Sequence, residues 1–153
     1  MDISTITAEE LMQRDVVTFA ESISLFDAYQ TLQEKHISGA PVVNEAGAVV
    51  GVLSQTDLIK QSYLKEFDEF APNSFYVEIP YVHSPDFQEI AEKLRVTSVS
   101  DVMSTNVLSI SSDASVAQIA ATMRTNGVHR LIVMEGDALC GIVTTFDLLK
   151  LFK

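Results

Sequence analysis

Apolar positions along the chain follow two rhythms, and the same succession of rhythms occurs twice. Leu25, Ala28, Tyr29 and Leu32 fall at helical spacing behind Ser24, a capping residue, and Asp27, an acid suited to a helix's first turn. Two β-rich runs follow, Ala40–Val43 and Val49–Leu53, around Asn44-Glu45-Ala46-Gly47, which predicts a hairpin. A further helix is predicted to start near Asp57. Later, Val116, Ile119, Ala120 and Met123 repeat the helical stripe behind Ser115, whose spacing to Gln118 is that of a capping box, and Gly127 suits the helix stop. Leu131–Met134 and Leu139–Val143 flank Glu135-Gly136-Asp137 as a second hairpin, before a helix starting near Asp147.

The two halves align residue by residue. Gly51-Val52-Leu53-Ser54-Gln55-Thr56-Asp57-Leu58 lies over Gly141-Ile142-Val143-Thr144-Thr145-Phe146-Asp147-Leu148, and His36 to Val43 lies over Gly127 to Met134. Leu11-Met12 lies over Val102-Met103, and Val16-Val17-Thr18 over Val107-Leu108-Ser109. The offset is 91 before the hairpin turn and 90 after it, so the second turn is one residue shorter. Each copy reads strand–helix–strand–strand–helix, an α/β (α+β) unit whose single helical stripe buries too little alone, so the two copies must share a core. The division is repeat 1 over 1–61, an insertion over 62–98 and repeat 2 over 99–153. Within the insertion, Ser62–Phe70 is expected to extend the preceding helix, with Glu66–Glu69 on its solvated face. Phe75–Val82 reads as an edge strand or ordered loop because of Pro80 and Pro85. Asp86–Arg95 has a weak helical pattern through Phe87, Ile90, Ala91 and Leu94. The whole insertion is expected to be a packed surface excursion, with a partner-docking arm as the alternative.

Composition narrows the function. With 153 residues the chain has room for about one domain and none for an added catalytic one. No apolar run approaches the ~20 residues of a membrane span, and the acidic start lacks a signal peptide's apolar region, so no membrane association and a cytoplasmic location are expected. Ten basic against 21 acidic residues, net −11, argue against nucleic acid as a partner. Cys140 is the only cysteine, read as a small buried hydrophobe. His36 is expected at a helix end near the last carbonyls, and His83, between prolines, at the surface. His36, His83 and His129 show no paired metal-ligand spacing, and no phosphate-binding loop, nucleophile elbow or dinucleotide fingerprint is present, so no enzyme, catalytic residue, metal or cofactor is expected.

The repeated Gly-apolar-apolar-Ser/Thr-x-x-Asp pattern, Gly51…Ser54-x-x-Asp57 and Gly141…Thr144-x-x-Asp147, admits two readings. A hydroxyl and a carboxylate at a helix start are capping groups. An acceptor-only carboxylate there is equally suited to the two donors of a ribose diol. Together with Asp101-Val102-Met103 and the degenerate Glu10-Leu11-Met12 near each start, the tandem pattern resembles a pair of CBS domains, the Bateman module, over nearly the whole chain outside the insertion.

The resemblance implies two repeats packed with pseudo-twofold symmetry and two clefts between them for adenosine-containing ligands. It implies that Asp57 and Asp147 hold ribose hydroxyls, that Ser54 and Thr144 support sugar or phosphate, and that Thr56 and Phe146 line the ligand. Ile37, Ser38, Ala40 and Pro41 would cradle adenine, with Val128, His129, Arg130 and Leu131 in the equivalent place. His129-Arg130 resembles the pair that contacts phosphate in the AMP-activated kinase's regulatory subunit. Val17 and Thr18, with Val107–Ser109 in the other copy, would complete the clefts by crossing to the opposite repeat. It also implies a homodimer, to which the apolar end Leu148, Leu149, Leu151 and Phe152 is suited, and an unidentified regulated protein as partner.

The copies are not equivalent, since Ser38-Gly39 stands where the second has His129-Arg130. Arginine's fork suits phosphate, so the Asp147 cleft is expected to bind nucleotide (AMP, ADP or ATP) more tightly than the Asp57 cleft. A ligand-independent interaction scaffold, and a sensor of another adenosine compound such as S-adenosylmethionine, are the alternatives.

Overall fold

The structure, a computed structural model, describes residues 2–62, 74–77 and 94–152. Repeat 1 contains β1 (Phe19–Ala20), α2 (Leu25–Lys35), β2 (Gly39–Val43), β3 (Val49–Ser54) and α3 (Gln55–Ser62), preceded by the short α1 (Ala8–Leu11). A helical turn, α4 (Ser74–Val77), comes from the insertion. Repeat 2 contains β4 (Ser109–Ser111), α5 (Val116–Asn126), β5 (Arg130–Glu135), β6 (Ala138–Thr144) and α6 (Thr145–Leu149). Each repeat forms a three-stranded sheet, β1-β2-β3 and β4-β5-β6, in which the first pair is parallel and the second antiparallel. Leu25, Ala28, Tyr29 and Leu32 of α2 are buried, as are Ile119 and Met123 of α5. Ser24 and Ser115 accept from the backbone N–H groups of Asp27 and Gln118 at 3.1 and 3.2 Å, so both helices start where capping chemistry predicts.

The 91/90 offset reappears in three dimensions. Each hairpin carries an irregularity at the same place, between Val42 and Val43 and between Val133 and Met134. The first turn is built on the Asn44 side chain, which accepts from the N–H groups of Ala46 and Ala48 at 3.0 Å, while the shorter second turn has Gly136 at φ +60°. Backbone bonds between repeats also occur as symmetric pairs. Gln13 and Ile142 exchange N–H···O bonds of 2.8 and 3.0 Å, and Ser104 and Val52 exchange two of 2.9 Å. Ala8 N–H donates to Ala114 and Val99 N–H to Ile23 at 2.8 and 2.9 Å. Ala48 and Ala138 pair with each other on the pseudo-twofold axis.

Each repeat's leading segment therefore crosses over and completes the other repeat. Ala8 and Met12 enter the core built on Ile119, Met123, Leu131, Ile132, Val133 and Val143, while Val99 and Met103 pack with Leu25, Leu32, Val42 and Leu53. The motif glycines exist for this crossing. A Cβ on Gly141 would lie 2.6 Å from the Gln13 carbonyl oxygen, and one on Gly51 would lie 2.8 Å from that of Ser104.

His36 ends α2 at φ +53°, where its counterpart Gly127 ends α5 at φ +63°. An L-residue with a Cβ is strained in that left-handed region. His36→Gly is therefore expected to raise unfolding stability by about 0.5–1 kcal/mol, measurable as a higher urea midpoint with an unchanged slope.

Two expectations are corrected. Residues 75–77 are helical rather than strand or loop, because the adjacent side chains of Phe75 and Tyr76 are both buried, which the two-residue alternation of a half-buried strand does not allow. Nor is this part of the insertion a surface excursion, since both aromatics belong to the core cluster between the repeats. Cys140 is half-buried and packs at that cluster's edge. Leu94 is buried as its helical spacing predicts. Ser62 ends α3, while His83, Glu66–Glu69 and the rest of the segments predicted over 63–70, 78–82 and 86–93 lie outside the described residues.

Candidate functional site

A cavity of about 370 Å³ opens between the repeats, inside the ~300–1,000 Å³ range of small-molecule sites. The crossing N-terminal segment lines it with Gln13, Asp15, Val16 and Val17, and repeat 1 adds Ile37, Gly39 and Pro41. Repeat 2 contributes Arg130, Ile142, Thr144 and Phe146, and the insertion contributes Phe75. Val17, Ile37, Pro41 and Ile142 give apolar walls suited to a flat base, while Thr144 and Arg130 are polar points at the far repeat. Among the described residues lining it, Arg130 is the one cation and Asp15 the one carboxylate.

Six of the sequence-derived candidates thus meet in one cavity: Val17, Ile37, Pro41, Arg130, Thr144 and Phe146. Thr18 is exposed and is not among the residues that line the cavity. Ser38, Ala40 and Leu131 are buried in the wall behind the cavity rather than lining it. The pair His129-Arg130 is split. Arg130 faces the cavity, whereas His129 is exposed and borders a separate apolar hollow with Met123, Val128, Thr145 and Leu148. Ser54, Thr56 and Asp57 lie at the symmetric counterpart of the cavity. Sequence reading missed Gln13, Asp15, Gly39, Ile142 and Phe75 as lining residues. Ile142 was recoverable, because it stands two residues before Thr144 on one strand face; Gln13 and Phe75 reach the site only through tertiary folding.

Both motif aspartates are capping groups. The Asp57 carboxylate accepts from Ser54 N–H at 2.9 Å and Ser54 Oγ at 3.0 Å, and Asp57 N–H donates back to Ser54 Oγ at 3.2 Å. At Asp147 the same Oδ2 accepts from Thr144 N–H at 2.8 Å and Thr144 Oγ1 at 3.1 Å, with Asp147 N–H donating to Thr144 Oγ1 at 3.3 Å. The other oxygen, Asp147 Oδ1, accepts from Lys150 Nζ at 3.1 Å and from Gln13 Nε2 at 3.5 Å. One oxygen is thus committed to the helix start. The second is held by a mostly exposed lysine and a cavity-lining glutamine, while Asp147 itself is buried and is not among the residues that line the cavity.

The counterpart cleft is built from Leu108 in place of Val17, Arg130 in place of Gly39, and Ser54, Thr56 and Asp57 in place of Thr144, Phe146 and Asp147. There α4 inserts its aromatics, touching β2, β3, β5 and α3. Tyr76 Oη accepts from Leu108 N–H at 3.1 Å, and the Tyr76 carbonyl accepts from His129 N–H at 2.8 Å. The Phe75 ring meets Tyr76 edge-on at 5.0 Å and lies 5.1 Å from the Arg130 guanidinium, and Phe75 Cβ stands 2.9 Å from where a Gly39 Cβ would be.

Burial pushes the Tyr76 phenol above its usual range; the Leu108 hydrogen bond opposes this and the Asp57 carboxylate reinforces it. A raised folded pKa means that the folded state holds the proton more tightly. This contribution to stability is complete below about pH 10 and is lost as pH rises through the raised value. Above pH 10 the wild type is accordingly expected to lose stability more steeply than Tyr76→Phe, as read from paired denaturation curves at stepped pH.

Comparison with known proteins places this architecture. The family described as CBS domain matches residues 8–63 and 99–153. A solved CBS domain of a CBS domain-containing membrane protein from Sphaerobacter thermophilus is 32% identical, with a TM-score of 0.72 over 99% of this chain and 90% of that one. Two solved structures with lower identity share the fold. CBSX2 in complex with AMP is 22% identical, with a TM-score of 0.67 over 95% of this chain and 94% of that one. The CBS domain pair of protein MJ0100, in complex with 5-methylthioadenosine and S-adenosyl-L-methionine, is 19% identical, with a TM-score of 0.66 over 97% and 100%. Curated relatives from Methanocaldococcus jannaschii differ in length: the chain spans 88% of one that is 29% identical to it, but 41% and 30% of two others.

Proposed function

Because the chain belongs to the CBS-domain family, as two CBS domains and a tandem regulatory module, we propose that it is a non-catalytic sensor of an adenine nucleotide, held in the Arg130–Thr144 cavity. The observation that carries this reading is the convergence of apolar walls, one hydroxyl and one arginine from both repeats on a single cavity. Val17, Ile37, Pro41 and Ile142 would enclose the base. Asp147 Oδ1, exchanging Lys150 and Gln13 for the ribose hydroxyls, would hold the sugar beside Thr144. Arg130 would meet the phosphate with a bidentate fork.

One cation facing one carboxylate fits a monophosphate best. Each added phosphate brings more negative charge toward Asp15, in a protein already at net −11. AMP is the ligand proposed, bound at least as tightly as ATP. The partner that reads the bound state is a protein that distinguishes occupied from empty clefts. The exposed Phe146, Leu149 and Phe152 would supply a homodimer contact.

Thermal unfolding of the purified chain with AMP, ATP, GTP and S-adenosylmethionine in turn tests this. AMP at ~100 times its dissociation constant should add about 2.7 kcal/mol, while GTP should shift nothing. A response to S-adenosylmethionine alone would transfer the site to an uncharged-tail adenosine compound, and no response to any of them would remove the sensor reading. Arg130→Ala is expected to weaken AMP binding roughly 10- to 150-fold, the worth of hydrogen bonds to a charged group, with adenosine binding little changed. Equal AMP affinity in wild type and variant would remove Arg130 from the phosphate site.

A further inference from the structure

The two clefts are related by symmetry of backbone but not of content. The Ser54–Asp57 cap and the Ser104–Val52 backbone pair repeat, at the Asp57 side, the Thr144–Asp147 cap and the Gln13–Ile142 pair that frame the open cavity. What differs is that Phe75 and Tyr76 lie there. Tyr76 Oη takes the Leu108 N–H, where the symmetric position in the open cavity is the lining residue Val17. Its carbonyl takes the His129 N–H, a backbone donor at the strand entry that walls the cleft. Thr56, whose counterpart Phe146 is 69% exposed, is 5% exposed.

Gly39 records the same fit in sequence. A side chain there would strike Phe75 Cβ at 2.9 Å and the Leu53 carbonyl oxygen at 2.8 Å, so the residue opposite Arg130 has to be small for the aromatic pair to enter.

We infer that Phe75–Tyr76 is a built-in occupant of the second cleft, so that the native chain takes one nucleotide and the Asp57 cleft becomes a second nucleotide site only when this segment withdraws. The aromatic pair supplies what a base would supply there: flat apolar surface, an acceptor for the His129 amide and a polar atom for the Leu108 amide. Phe75 also walls the open cavity beside Arg130. Withdrawal of this turn would therefore change both clefts, which makes α4 the element through which the occupancy of one site alters the other. The inference rests on the proposed nucleotide site for its ligand class, not for the geometry of the plug.

Isothermal titration of AMP into the full chain, wild type and Tyr76→Ala, separates the two claims. One equivalent in the wild type and two in the variant supports both. One equivalent in each overturns the plug and leaves the proposed function standing. None in the wild type and one in the variant supports the plug and removes the proposed function from the Arg130 cavity. None in either overturns both, and two in the wild type overturns the plug outright. Should Tyr76→Ala fail to fold, amide hydrogen exchange on nucleotide-free wild type decides the plug. Slow exchange at both Leu108 and His129 supports it, and exchange at either at the rate of an open loop overturns it.

Discussion

Gly141→Ala is expected to lower the melting temperature by roughly 6–12 °C, the equivalent of about 3 kcal/mol for a chain of this size. A new Cβ would stand 2.6 Å from the Gln13 carbonyl oxygen and 2.8 Å from Met12 Sδ. The thioether can bend away. The carbonyl cannot, because Gln13 and Ile142 are joined by hydrogen bonds of 2.8 and 3.0 Å in both directions. Moving the strand to admit the methyl group breaks that pair and withdraws Met12 from the core it shares with repeat 2. The cost therefore belongs at the top of the overpacking range. Gln13 also lines the cavity and reaches Asp147, so the variant should lose its AMP-dependent stabilisation along with its fold stability. A calorimetric scan with and without AMP measures both. A variant melting within a degree of wild type would show that the crossing segment is not held as described.

Asp147→Ala is expected to cost about 2–4 kcal/mol and to abolish the response to nucleotide. A helix cap alone is worth about 1 kcal/mol. Here the carboxylate is 1% exposed, and removing it strands the Thr144 N–H and hydroxyl in a buried setting, which adds about 1–3 kcal/mol. Asp147→Asn divides the two roles of the residue. Its amide oxygen still accepts from Thr144 N–H, so urea unfolding should return most of the lost stability. The amide nitrogen is a donor where Oδ1 was an acceptor, so a ribose diol, itself two donors, finds no match. A stable Asn variant with unchanged AMP affinity would reduce Asp147 to a capping residue and favour the ligand-independent scaffold.

These two residues show how far the sequence could be read. The motif Gly-apolar-apolar-Thr-x-x-Asp announced itself by its repetition, and either interpretation of the aspartate, cap or ribose ligand, was available. The structure assigns one carboxylate oxygen to the cap and the other to the Lys150 and Gln13 side chains. The glycine of the same motif could not be interpreted from sequence at all. Its reason is the Gln13 backbone, more than a hundred residues away along the chain. His129 and Arg130, adjacent in sequence, were read as one phosphate-contacting pair. Successive residues at the entry to a strand point to opposite sides, and only Arg130 reaches the cavity.

Local chemistry is what the sequence determined by itself. Helical stripes, serine caps, hairpin turns and a one-residue difference in turn length are all encoded within a few residues, and their recurrence at a 91/90 offset implied two equivalent units around one core. That information is local because propensity, capping and periodicity act over one or two helical turns. The tertiary structure alone decided which residues each crossing segment meets and which of two symmetric clefts stays open. Both depend on contacts between distant parts of the chain: Gln13 against Ile142, and Phe75 and Tyr76 against Gly39, Leu108 and His129. The aromatic pair of the insertion carries no periodic signal of its own. It settles between the repeats because that is where two large apolar side chains and their backbone can be buried with partners for Tyr76 Oη and for the Tyr76 carbonyl.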